Sequence, residues 1–268
     1  MNKAPLLSII TPTYHQVDFI ERTIRSIHEQ KVDCEFEHIV IDGGSMDGTV
    51  ELLKTYGDRI TWISEPDQGQ SDALNKGISM AKGEIIGWLN SDDLYLPGTM
   101  QKVVDYFGAN PNCHWLYGNC KIINDQDQEF RKWITIYKNL LARKFYFPVL
   151  LLENFICQPS VFFRREAIEA VGPVALNRPL AMDYDLWLRM AKYSKPGVIR
   201  DYLACFRVHA DAKSTVQSKQ QFQEQFNIHQ QHDLRKRYLF LHRLNISKTI
   251  FIYWLVAKLF SSKQKRQK

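Results

Sequence analysis

Short, nearly all-apolar runs at residues 6–10, 37–41, 60–64 and 84–89 alternate with longer stretches in which apolar residues return every three or four positions. In the first of these stretches Phe19, Ile20, Ile24 and Ile27 form one helical stripe. The runs read as strands, and residues 19–28, 47–56 and 72–81 read as helices. Strand and helix alternating at this spacing predict a parallel sheet covered on both faces. Beyond residue 95 the pattern is less regular. It predicts a helix over 97–107, a strand over 115–123, a strand over 156–164 and a short helix over 165–171 ended by Gly172-Pro173. A helix over 184–193, a strand over 198–207 and a glutamine-rich, largely exposed helix over 217–231 follow. The fold class expected is α/β, with a mostly parallel, Rossmann-like sheet flanked by helices and a C-terminal helical extension.

Open parallel sheets bind ligands past the carboxyl ends of their strands. Polar side chains collect there: Thr11, Thr13 and Tyr14 after the first strand, Asp42 after the second, Glu65 and Asp67 after the third, Asp92 and Asp93 after the fourth. Four successive strand ends supplying one rim point to a binding site. The turn Asp42-Gly43-Gly44-Ser45 keeps side chains out of the way. Its carboxylate either accepts a hydrogen bond from a base or ribose, or merely caps the next helix. No glycine follows the first strand, which excludes the GxGxxG dinucleotide fingerprint. Asp92 and Asp93 repel one another unless a cation or hydrogen-bond donors compensate. A hard divalent ion would do so and would also hold a diphosphate; the plainer reading is a double helix cap. Asp183 and Asp185, two apart, do not share a helix face. Asp183 either caps the 184–193 helix or reaches into a cleft, where it would take a proton from a hydroxyl. His209 is a metal ligand, a phosphate donor or a surface histidine. Arg207 either meets phosphate or solvates a surface.

Composition changes this picture in few places. With 268 residues and 45% hydrophobic content the chain makes one large domain, or one and a half. A net charge of +6 attracts polyanions, anionic lipid or phosphate-bearing substrates without choosing among them. Residues 237–260 mix aromatic, aliphatic and basic positions and lead into a basic tail at 263–268. The apolar part is too short to span a bilayer and suits the surface of one; the alternative is a helix packed on the domain or on a second subunit. Five widely spaced cysteines without a CxxC pair read as thiols in a reducing compartment. The N-terminal apolar run is too short for a signal peptide. A cytoplasmic location is therefore expected. Paired carboxylates on the rim, and no recognised nucleic-acid motif, argue against nucleic acid as a partner.

Five strings carry a resemblance: Ser8-Ile9-Ile10-Thr11-Pro12-Thr13-Tyr14; residues 38–49, His-Ile-Val-Ile-Asp-Gly-Gly-Ser-Met-Asp-Gly-Thr; residues 65–77, Glu-Pro-Asp-Gln-Gly-Gln-Ser-Asp-Ala-Leu-Asn-Lys-Gly; Gly87-Trp88-Leu89-Asn90-Ser91-Asp92-Asp93; and residues 182–189, Met-Asp-Tyr-Asp-Leu-Trp-Leu-Arg. Together, over roughly residues 6–209, they resemble the inverting glycosyltransferase family 2, which has the GT-A fold. The likeness is to members that extend lipid-linked bacterial O-antigen or capsule.

The resemblance implies a nucleotide-sugar-binding half at residues 1–95. It implies an acceptor-binding and catalytic-base half of the same domain at 96–215, and a membrane-associating extension at 216–268. Thr11, Pro12, Tyr14 and Asp42 would line the nucleobase pocket. Asp92 would sit near the ribose, Asp93 with His209 would hold Mn²⁺ or Mg²⁺, and Asp183 would be the catalytic base. Met182 stands where many members carry a second acid, and His15 replaces the asparagine of a Tyr-Asn pair. The donor would be a nucleoside diphosphate sugar, UDP first and GDP next. The acceptor would be a saccharide, on an undecaprenyl-type lipid diphosphate at the inner face of the cytoplasmic membrane. Two competing readings are a nucleotidyltransferase that makes nucleotide sugars and a non-catalytic module that binds membrane or polyanion. The first needs a glycine-rich basic loop after the first strand, and Thr11 to Tyr14 contains none.

Overall fold

A computed structural model of the chain describes residues 4–210 and 217–232. The amphipathic stretch at 237–260 and the basic tail lie outside the described residues. Strand β1 (Leu7–Thr13), helix α1 (Val17–His28), β2 (Phe36–Asp42), α2 (Thr49–Lys54), β3 (Thr61–Ser64), α3 (Gln70–Met80) and β4 (Ile85–Trp88) follow in order. β1, β2, β3 and β4 pair in parallel, as the alternating pattern predicts.

The second half departs from the expected sheet. After β5 (Leu94–Tyr95), α4 (Thr99–Ala109) and β6 (Trp115–Ile123) come two helices the pattern did not reveal, α5 (Lys132–Ala142) and α6 (Phe147–Leu152). A 3-10 turn, Gln158–Ser160, precedes β7 (Val161–Arg164), so the strand expected over 156–164 is half as long. Then follow α7 (Arg165–Val171), α8 (Met182–Tyr193), β8 (Gly197–Arg207) and α9 (Ser218–His232). The eight strands make one sheet in the order β3-β2-β1-β4-β7-β6-β8-β5. β7 is antiparallel to both β4 and β6, β5 is antiparallel to β8, and β6 and β8 are parallel. The sheet is therefore mixed and GT-A-like, which corrects the mostly parallel Rossmann-like expectation. Burial patterns show whether a strand is covered, not which way it runs.

Alternation along β1 divides the core. Ile10 enters a layer with Ile39, Ile41, Leu74, Trp88 and Trp187. Leu7 and Ile9 enter the opposite layer with Ile27, Met100, Val103, Phe107 and Leu203. Trp115 and Trp187 stack with ring centroids 6.0 Å apart and join α8 to the sheet. α9 is less exposed than its glutamine-rich sequence predicts, since Ile228 and His229 are buried. Among the described residues no helix is long and apolar enough to cross a membrane.

α3 lies directly against β1 at Gly77, where a Cβ would fall inside the van der Waals contact distance of Ile10 Cγ2. Gly77→Ala is expected to destabilise the fold by about 1–3 kcal/mol through overpacking, measured as a lower denaturant midpoint. An unchanged midpoint would mean that α3 lies further from the sheet.

Candidate active site

At the ends of the parallel strands the chain satisfies the buried Asp42 carboxylate but leaves the buried Thr13 Oγ1 without a hydrogen-bond partner. Thr13, Asp42 and Ser64 stand side by side across β1, β2 and β3. The buried Asp42 carboxylate accepts four hydrogen bonds: Oδ2 from the Gly44 and Ser45 N–H groups (3.1 and 2.9 Å) and the Ser64 hydroxyl (2.6 Å), and Oδ1 from the Ser45 hydroxyl (2.5 Å). Oδ2 is saturated by three donors, so a base hydrogen-bonding to Asp42 would have to use the remaining lone pair of Oδ1 or displace a donor. Thr11 is also buried, with Oγ1 3.0 Å from His38 Nε2. Burial, then the nearby His28, pushes the His38 pKa down to about 3, so it stays neutral. Pro12 is buried and Tyr14 stands exposed on the rim. Beside Tyr14, a Cβ on Gly43 would meet Asp67 Oδ2 at 2.8 Å and Tyr14 Cδ2 at 3.2 Å. Glycine therefore keeps a narrow slot open between an aromatic ring and a carboxylate.

After β4 the two adjacent acids part company. Asp93 is fully buried; its Oδ1 accepts the Arg207 N–H at 2.8 Å, and its Oδ2 has a longer contact from Asn90 Nδ2 at 3.4 Å. Burial, then the neighbouring Asp92 charge, pushes Asp93 well above the usual carboxylate range. Asp92 is part-exposed and meets His209, Oδ2 to Nε2, at 3.2 Å. Thus His209 contacts Asp92, with Asp93 next to it in the chain. The guanidinium of Arg207 is buried beneath them. It donates to the carbonyls of Asp92 (2.6 Å) and Asn124 (2.6 Å), pairs with Asp127, and lies over the Phe19 ring. Among the described residues no group of three or more His, Cys, Asp or Glu side chains is arranged to hold a metal ion.

Asp183 lies in the first turn of α8 and is part-buried. Asn154 Nδ2 donates to its Oδ2 at 3.1 Å. Burial raises the Asp183 pKa; the Tyr184 N–H, the Asn154 amide and the Lys138 charge oppose the rise without cancelling it. Cys157 interacts electrostatically with both Asp93 and Asp183, so the segment that carries Asn154 and Cys157 links the two acids. All five cysteines are free thiols.

Residues 8–172 match the family model described as glycosyl transferase family 2. The chain belongs to this family. A PGL/p-HBAD biosynthesis glycosyltransferase of Mycobacterium tuberculosis is 29% identical over 205 residues, 75% of this chain and 74% of that protein. A mannosyltransferase of Pyrobaculum calidifontis, solved with GDP-Man and Mn²⁺, superposes with a TM-score of 0.65 at 18% identity over 98% of this chain and 81% of its own. S. aureus TarS 1–349, solved with UDP-GlcNAc, gives 0.61 at 15% identity over 87% of this chain and 69% of its own. In a longer TarS chain the matched part is 41% of the length.

This family 2 glycosyltransferase moves a sugar from a nucleotide-sugar donor to an acceptor. Several groups around its cleft escape a sequence reading. Asn90 gathers the rim: its Oδ1 accepts from Gln70 (2.7 Å) and Trp88 (2.8 Å), and its Nδ2 donates to Gln158 (2.9 Å). Gln158 and Asn154 sit in irregular chain, where only the Gln158-Pro159 pair signals a turn. Arg207, expected to meet phosphate or to solvate a surface, is instead buried, and its place at the end of a strand is the one local hint of this. Asp185 is held below the usual carboxylate range. Burial opposes this, but the His232 hydrogen bond and the Arg189 and Arg178 charges outweigh it.

If Asp183 is the base that the resemblance implies, it works ionised, and activity is lost as pH falls through its raised pKa. Asn154→Ala removes a donor that favours the charged form. The acidic limb of kcat/KM is expected to move to higher pH, with the fold unchanged by circular dichroism. A limb that stays put or moves to lower pH would remove Asn154 from the control of Asp183.

Proposed function

We propose that the chain transfers a sugar with inversion from a nucleoside diphosphate sugar, UDP-linked first, to a hydroxyl of a lipid-linked saccharide. The acceptor would be an O-antigen or capsule intermediate at the inner membrane face. The observation that carries the reading is Asp183, a carboxylate with a raised pKa held by Asn154, in the segment whose Cys157 also acts on Asp93. One base and one displacement require no covalent enzyme intermediate, unlike the paired carboxylates of retaining hydrolysis.

Asp183 takes the proton of the acceptor hydroxyl as its oxygen attacks the anomeric carbon from the face opposite the leaving diphosphate. The new C–O bond forms as the bond to the diphosphate breaks, so an α-linked donor gives a β-linked product. Tyr14 offers a stacking face for the base next to the slot at Gly43. A divalent cation would be held by Asp92 and His209, whose Oδ2 and Nε2 stand 3.2 Å apart; Asp93, buried beside them, would have to turn outward to reach it. With only these side chains, the cation would draw its remaining ligands from diphosphate and water. When bound, Mn²⁺ or Mg²⁺ would offset the charge on the leaving diphosphate. It would also relieve the repulsion between Asp92 and Asp93. Fold relatives solved with UDP-GlcNAc, and with GDP-Man and Mn²⁺, support this class of donor.

Purified protein is incubated with Mn²⁺, a panel of nucleotide sugars and a synthetic sugar-diphosphate-lipid acceptor, and products are read by mass and by anomeric NMR coupling. A single donor is expected to give an acceptor-dependent β-linked product. Asp183→Asn should lower kcat by about 10²–10⁴-fold while leaving donor binding intact. His209→Ala should raise the half-saturating Mn²⁺ concentration by at least the roughly 10–100-fold seen on losing outer-shell partners. An α-linked product, or full turnover by Asp183→Asn, would sink the inverting mechanism.

A further inference from the structure

Helix α5 turns an apolar face to water. Trp133, Ile136 and Leu140 are 51%, 65% and 60% exposed, and Tyr137 joins them at 38%. Their spacing, i, i+3, i+4 and i+7, makes one stripe along the helix. The opposite face is seated, since Ile134, Thr135 and Ala142 are buried. The stripe is therefore not a core face left uncovered by poor packing. Tyr146, just past the helix, is 63% exposed.

Charge around the stripe is mainly positive, with Glu153 beside Tyr137 the acid at its edge. Arg131, Lys132, Arg143 and Lys144 are exposed and Lys138 is part-buried, and residues 131–152 contain no acid. Tryptophan and tyrosine flanked by lysine and arginine match the boundary between headgroups and acyl chains. We propose that this face of α5 docks on a membrane surface bearing anionic headgroups, with Trp133, Ile136 and Leu140 entering the acyl boundary and the flanking cations meeting phosphate. A second copy of the chain suits this face poorly, because a two-fold contact would set cations against cations.

The use of such docking rests on the lipid-linked acceptor reading given above. Tyr137 donates to Glu153, the adjacent Asn154 donates to Asp183, and Lys138 acts electrostatically on Asp183. A bilayer held by α5 therefore lies close to the base that activates the acceptor.

Full-length protein is sedimented with vesicles of phosphatidylcholine alone and with vesicles of equal phosphatidylcholine and phosphatidylglycerol, at low and high salt. Two variants accompany it: Trp133→Ser/Ile136→Ser/Leu140→Ser, and Lys132→Glu/Arg143→Glu/Lys144→Glu. Wild type is expected to prefer the anionic vesicles, more weakly at high salt. Each variant should lose at least about tenfold in partitioning while keeping its melting temperature and its turnover of a short water-soluble acceptor. Variants that partition like wild type would overturn the proposal and leave residues 233–268 as the anchor. Variants that partition normally but change mass in light scattering would also overturn it, by assigning the face to a second copy. If docking needs α5 while no lipid-linked acceptor is glycosylated, the docking surface stands and the acceptor reading falls.

Discussion

The working rim depends on a guanidinium taken out of water. Removing a charge from solvent costs several kcal/mol unless oxygen replaces the lost hydration. Arg207, at the end of β8, meets that demand with the Asp92 and Asn124 carbonyls and the Asp127 carboxylate, while its N–H serves Asp93 and the Phe19 ring covers its flat face. These contacts draw together β8, the loop after β4, the loop after β6 and α1. They also explain why Asp93 can be buried at all, because the Arg207 charge and N–H temper the effects of burial and of Asp92.

A second polar junction holds the start of α8, where Asp183 sits. Ala181 at the helix boundary makes no side-chain cap. Glu224 from α9 instead accepts the N–H groups of Leu180 and Ala181 at 3.2 and 2.9 Å. His232 of α9 reaches Asp185 at 3.1 Å, and Arg178 and Arg189 complete that buried charge cluster. Two helices from beyond the matched family region, which ends at residue 172, thus hold each other, and α9 supports the element that carries Asp183.

The sequence made the first half of the fold legible because each physical signal there is local. Apolar runs gave β1, β2, β3 and β4, glycine and acidic residues marked their ends, and the rim residues followed from topology. Strand direction in the second half was not legible, because β7 is buried on both sides and reads the same in either sense. α5 escaped because its apolar residues face both inward and outward, which blurs the periodicity. α9 docks through Ile228 together with Glu224, His229 and His232, so its seat is largely polar and leaves no long hydrophobic stripe. Arg207 and the Asn90–Gln158 contact pair residues far apart in the chain, and no window of sequence contains both partners. The acids after β4 were seen as a pair; that one would point inward and the other toward His209 required coordinates.

The self-contained turn at Asp42 has a further consequence. With four donors on one carboxylate, the segment from Asp42 to Ser45 is fixed before any donor arrives. The backbone freedom lost there was surrendered on folding, so in the proposed donor pose association at the nucleoside end would carry no separate ordering penalty. The same rigidity leaves this turn least able to reshape itself, so in that pose it would discriminate among nucleosides by outline rather than by adjustment.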